Sequence, residues 1–79
     1  MRKAGQNLIG RQLKLARARA RPPLTQEAVS KRLADRGVYI DRAGIAKIET
    51  GIRSVLDFEL LAISKALGVS VMWLLGEEG

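Results

Sequence analysis

The chain has 79 residues, 14 Lys and Arg against 8 Asp and Glu for a formal charge of +6, and neither cysteine nor histidine. That length holds one domain at most, with a core that is marginal unless the packing is compact and helical. The missing residues remove disulfides, thiolate zinc sites, thiol nucleophiles and the commonest general base and metal ligand, so neither an enzyme nor a cofactor is expected.

The charge is unevenly spread. Up to Arg53, thirteen cations face Glu27, Asp35, Asp41 and Glu49, a balance of +9; from Ser54 onward Lys65 faces Asp57, Glu59, Glu77 and Glu78, a balance of −3. A basic front with a mildly acidic back suits a polyanion bound on one side. No apolar run is long enough to span a membrane, and Met1–Gly5 lacks the apolar centre of a signal peptide, so a cytoplasmic protein without a membrane partner is expected.

Met1 to Gln6 reads as a frayed basic arm. Asn7 is a plausible cap for a first helix in which Leu8, Ile9, Leu13, Ala16 and Ala20 recur at three- and four-residue spacings. Arg11, Lys14, Arg17 and Arg19 fill its other positions, and Arg21-Pro22-Pro23 stops it, because proline lacks a donor and restricts its predecessor. Thr25 caps a second helix that runs to about Arg36 and ends at Gly37, with Leu24, Ala28, Val29 and Leu33 inward. Val38-Tyr39-Ile40 is an extended connector, and Ile40 stands where a hydrophobic staple lies.

Asp41 caps a third helix that Gly51 ends. Its apolar stripe is only Ile45 and Ile48, which leaves Arg42, Ala43, Ala46 and Lys47 off the core. A helix this short is unstable alone, so the chain must hold it, and its outward face is there to be read: it is a recognition helix. Gly44 inside it costs about 1 kcal/mol relative to alanine, which a close backbone approach, to helix two or to phosphate, would explain. Ile52 to Val55 form a loop. Asp57 caps a fourth helix with Phe58, Leu61, Ala62, Ala66 and Leu67 inward, and Gly68 ends it. Ser70 caps a last short helix, Val71 to Leu75, in which Trp73 and Leu74 are core, and Gly76 ends that one. The pattern predicts an all-α protein, a compact five-helix orthogonal bundle forming one domain over 1–79 with an ordered core of about 7–76.

Three stretches carry a resemblance: Leu24-Thr25-Gln26-Glu27, Ile45 through Gly51 (IAKIETG), and Leu60 through Gly76 (LLAISKALGVSVMWLLG). In this order they resemble the helix-turn-helix domain of the lambda-repressor and Cro-like family, also described as the XRE type, over about Asn7 to Gly76. The resemblance implies that helices two and three form the motif, about 25–51, and that helix three, about 42–50, enters the major groove. It implies that Gln26 contacts a phosphate and supports the recognition helix. Arg42 and Ala43 take the first base-facing positions, and Lys47 the next one a turn on. Glu49 becomes a buried acid paired with an arginine of helix one, for which Arg17 is the candidate and Arg19 the reserve. Arg53 and Ser54 fall in a loop that grips the sugar-phosphate backbone.

Physical chemistry fits these roles, since an arginine forked onto a guanine edge gives about 1–3 kcal/mol of discrimination. The sequence departs from the family in DRGVYIDR, longer than the usual motif turn of about four residues, and in the longer join at Arg21-Pro22-Pro23. The function implied is a sequence-specific DNA-binding transcriptional regulator, a bacterial or phage-type repressor whose partner is double-stranded DNA. The alternative is a protein-interaction module of the same fold, such as an antitoxin or an assembly partner. A homodimer would use Val69, Val71, Met72 and Leu75 around helix five.

Overall fold

A computed structural model describes residues 7–77. The basic arm read at Met1–Gln6 lies outside the described residues, as do the last two residues of the tail. Among the described residues there are five helices and no strand: α1 Gly10–Arg19, α2 Gln26–Ala34, α3 Arg42–Glu49, α4 Asp57–Leu67 and α5 Val71–Leu74. α2 lies against α3 and α4, α1 against α3 and α5, and α4 against α5. Leu13, Val29, Leu33, Ile45, Ile48, Ile63 and Leu74 fill the centre, so every helix contributes to one core.

Asn7 explains how α1 begins. Its Oδ1 accepts from the N–H groups of Ile9 and Gly10, both at 2.9 Å, which satisfies donors that a helix start leaves open. Its amide also donates to the carbonyls of Ile48 (3.1 Å) and Arg53 (2.8 Å), tying the chain before α1 to the end of α3 and the loop beyond. Ile9, Gly10, Leu13 and Ala16 face inward. Leu8, expected on that stripe, is 68% exposed, because it precedes the helix and does not share its phase.

Thr25 caps α2 by accepting from Ala28 N–H at 3.0 Å. α2 stops at Ala34, two residues short of the expected end, and a turn follows in which Val38 N–H reaches the Leu33 carbonyl at 3.0 Å. Ile40 is buried, and its carbonyl accepts from the Ser30 hydroxyl at 2.6 Å. The long connector is therefore pinned at one point, while Tyr39 beside it is 80% exposed. Asp41 caps α3 through Gly44 N–H at 2.7 Å. At its end Gly51 has φ +81°, a left-handed conformation that glycine adopts without steric cost.

α4 departs most from expectation. Its cap position is Leu56, not Asp57, and the Leu56 N–H donates to the Glu59 carboxylate at 3.0 Å. Phe58 and Leu61, expected inward, are 56% and 50% exposed, while Glu59, Ala62, Ile63, Ser64 and Ala66 are buried. Choosing the phase from the large apolar residues fails here because a charged side chain holds the inward position at the helix start. In α5, Ser70 accepts from Trp73 N–H at 2.9 Å. Leu74 is fully buried, whereas Trp73, expected in the core, packs against its edge and is only partly buried.

Candidate nucleic-acid interface

α3 presents one open face. Arg42, Ala43 and Lys47 are exposed and Ala46 is partly so, while Ile45 and Ile48 are fully buried on the other side. The side chains of Arg42 and Lys47 have no polar partner among the described residues. Arg42 is the first residue of α3, where a cation opposes the positive end of the helix dipole at a cost of a few tenths of a kcal/mol, about 0.3 or more. The local rule is thus broken on an exposed face with no compensating contact among the described residues.

The other end of α3 is held rigidly. Arg17 of α1 donates from Nε to Glu49 Oε2 at 2.5 Å and from Nη2 to Oε1 at 2.8 Å, and its Nη1 reaches the Leu24 carbonyl at 3.0 Å. The carboxylate is 5% exposed and the guanidinium side chain 16%. Hydrogen bonding to Glu49 raises the Arg17 pKa above its ordinary value against the opposing effect of burial. Gln26, the first residue of α2, donates from Nε2 to Glu49 Oε1 at 3.1 Å. One acid thus joins α1, the start of α2 and the end of α3, and Arg19, the reserve partner, stays exposed.

α1 approaches α3 closely at the same end. A Cβ on Gly10 would lie 2.5 Å from the Ile48 carbonyl oxygen and 2.8 Å from that of Glu49. Gly44 is also a close approach, and its nearest protein neighbours belong to the connector and the loop after α3, not to α2. Its missing Cβ would sit 2.7 Å from the Ile40 Cγ2 and 3.2 Å from Asp41 Oδ1. The glycine makes room for the residue that anchors the long connector.

In the loop after α3, Ser54 is exposed. Arg53 is engaged: Nη1 donates to Glu59 Oε1 at 3.0 Å and to the Ser54 carbonyl at 2.9 Å, and Nη2 donates to Glu59 Oε2 at 3.1 Å. That fork holds the Glu59 carboxyl below its ordinary range despite burial, with help from the Leu56 N–H. Sequence reasoning missed Glu59. The available signal was its place three residues after a helix cap position, where an acid reaches back to the cap backbone. Asn7, read only as a cap, also had a second role that no local pattern announces.

Of the residues considered for a dimer, Met72 is 49% exposed, while Val69, Val71 and Leu75 are partly buried and Val69 and Leu75 pack against the core. Among the described residues no group of acids could hold a metal ion, and no helix is long and apolar enough to cross a membrane.

A family model described as helix-turn-helix matches residues 15–74. The structure is similar to a crystal structure of the P22 c2 repressor protein in complex with synthetic operator 9T in the presence of Tl+. The likeness has a TM-score of 0.71 and 28% sequence identity, over 90% of this chain and 97% of that one. No curated protein sequence matches the chain.

Proposed function

We propose that this chain, which belongs to the helix-turn-helix family, is a sequence-specific DNA-binding repressor of transcription that inserts α3 into the major groove. The observation that carries the reading is the likeness, over nine-tenths of the chain, to a phage repressor whose structure was solved on operator DNA. The open cationic face of α3 and the basic charge of the chain up to Arg53 agree with it.

In this reading Arg42, Ala43 and Lys47 face the bases. Arg42 forks onto a purine edge, Ala43 offers a methyl to thymine, and Lys47 reaches a base or a phosphate. Gln26 has its amide on Glu49 and sits at the start of α2, where it also meets a phosphate, and Ser54 contacts the backbone from the loop. These contacts position the domain without reading sequence. The Arg17–Glu49 pair is structural and ties α3 to α1, while Gln26 on the same acid ties it to α2. A two-fold operator would bring two copies together, and Met72, with Val69, Val71 and Leu75 around it, is the patch we assign to that contact. No catalytic role is assigned to any residue.

The test is a selection of bound duplexes from random DNA at near-physiological salt, followed by sequencing. A two-fold enriched motif is expected, together with a log–log salt slope near −4.5 for about five neutralised phosphates. Arg42→Ala should relax preference at one base position of each half-site, a loss of about 1–3 kcal/mol of discrimination. No enrichment, with binding only at low salt, would favour the protein-interaction module of the same fold.

A further inference from the structure

α3 has eight residues and touches its partner with the face opposite its core, so its aim depends on what braces its N-terminal half. The loop after it is bonded to α3 at the Lys47 carbonyl and brings a side chain near the helix start, and Arg53 is where that loop meets its surroundings. Its N–H donates to the Lys47 carbonyl at 3.2 Å, and its own carbonyl accepts from Asn7. Its Nε lies 3.8 Å from the place a Gly44 side chain would take, beside the cap of α3. Its fork closes on Glu59, a residue 6% exposed whose Oε1 also receives the Leu56 N–H.

We infer that Glu59 is a positioning residue for DNA readout: by holding the Arg53 fork against the first turn of α4, it keeps that cation off the phosphate backbone and locks the loop beside the start of α3. This rests on the DNA-binding reading above. Opposite charges in contact present little net field outside the pair, so Arg53 displaces few counterions from DNA. An unpaired arginine on the same loop would take a phosphate in any sequence and add affinity without discrimination. The buried acid trades that affinity for a fixed recognition helix. The competing arrangement has Arg53 bridging Glu59 and a phosphate through the N–H groups still open on Nε and Nη2.

The experiment measures binding of the full chain against salt, on random-sequence duplex and on the selected operator, for wild type, Glu59→Gln, Arg53→Gln and the double variant. Glu59→Gln keeps an acceptor for Leu56 N–H but frees one positive charge. Its slope should steepen by about 0.9, with about fivefold tighter binding to random duplex at 0.15 M salt and a reduced operator-to-random ratio. Arg53→Gln and the double variant should keep the wild-type slope.

An unchanged slope in a folded Glu59→Gln protein overturns the inference, and so does a slope shallower by about 0.9 in Arg53→Gln. If Glu59→Gln does not fold, Arg53→Gln alone decides by the same criterion. A wild-type chain that binds no duplex at any salt overturns the DNA-binding reading itself, and the inference with it, whereas the other failures leave that reading standing.

Discussion

Two acid–arginine pairs lie beside α3, and they are built differently. Glu49 at its C-terminal end receives Arg17, 32 positions away, and Gln26, 23 positions away, so that one carboxylate joins three helices. Glu59 receives Arg53 from only six positions away and closes a loop onto the helix that follows. The first pair is the drier, with side chains 16% and 5% exposed against 31% and 8% for the second. The end of α3 is therefore fixed by tertiary packing, whereas the loop after it is closed by a local strap that in our inference steadies the helix start and that solvent can reach.

The largest expected effect comes from breaking the drier pair. Glu49→Ala leaves a largely buried guanidinium without its counter-ion, and the loss of stability should be about 3–5 kcal/mol. Thermal melting followed by circular dichroism checks this; an unchanged Tm would mean that the pair braces nothing. Arg53→Ala, which breaks the wetter pair but leaves Glu59 the Leu56 N–H, should cost less, about 2 kcal/mol by the same measurement, and equal losses would erase the contrast.

Next in size is Gly10→Ala, at the rigid end. The new methyl would press on the Ile48 and Glu49 carbonyl oxygens, and backbone cannot swing aside as a long side chain can. A loss of about 3 kcal/mol is expected in denaturant titration. At the strapped end, Gly44→Ala meets the Ile40 Cγ2 instead. Part of the overpacking cost there is offset by about 1 kcal/mol of helix propensity, which leaves a net loss of about 1 kcal/mol. If Gly44→Ala proved the more damaging of the two, the start of α3 would be the rigid end.

The smallest effect is a pH dependence. Glu59 has its pKa lowered from 4.5 in the folded protein, chiefly by the Arg53 fork. The unfolded chain therefore takes up this proton at higher pH than the folded chain does. The stabilisation is fully present above the unfolded value, near 4.5, and is lost as pH falls through the lower folded value. Melting temperatures measured from pH 6 down to about 3 should fall less steeply in Glu59→Gln than in wild type, since the amide does not titrate.

Much of the architecture was legible because it rests on short-range chemistry. Asn7, Thr25, Asp41 and Ser70 are short oxygen-bearing side chains at helix starts, and each accepts from backbone N–H groups near the first turn. Ile45 and Ile48, three apart, gave the buried face of α3 and therefore its open one. The same local reasoning misled at α4, where it followed Phe58 and Leu61 to the wrong face. Apolar size alone ranks them inward, and nothing local reveals that Glu59 has an arginine waiting in the loop.

The partner of Arg53 was hidden in the same way. A cation in a loop next to a recognition helix reads as a group for phosphate, because an exposed side chain has no visible competitor in the sequence. In the folded chain Glu59 is that competitor.

Five helices, the caps of four of them, most of the buried stripe of the first two apart from Leu8, and the outward side of α3 could all be read from the letters alone. Capping, helix-breaking prolines and apolar spacing act over one or two turns, so their information sits in adjacent letters. It took the folded chain to show which face of α4 is buried, that Asn7 ties three segments together, that Gly10 and Gly44 make room for different neighbours, and that Arg53 is held by an acid. Each of these depends on groups brought together by the packing of whole helices, and a buried charge is stable only where that packing also delivers its partner.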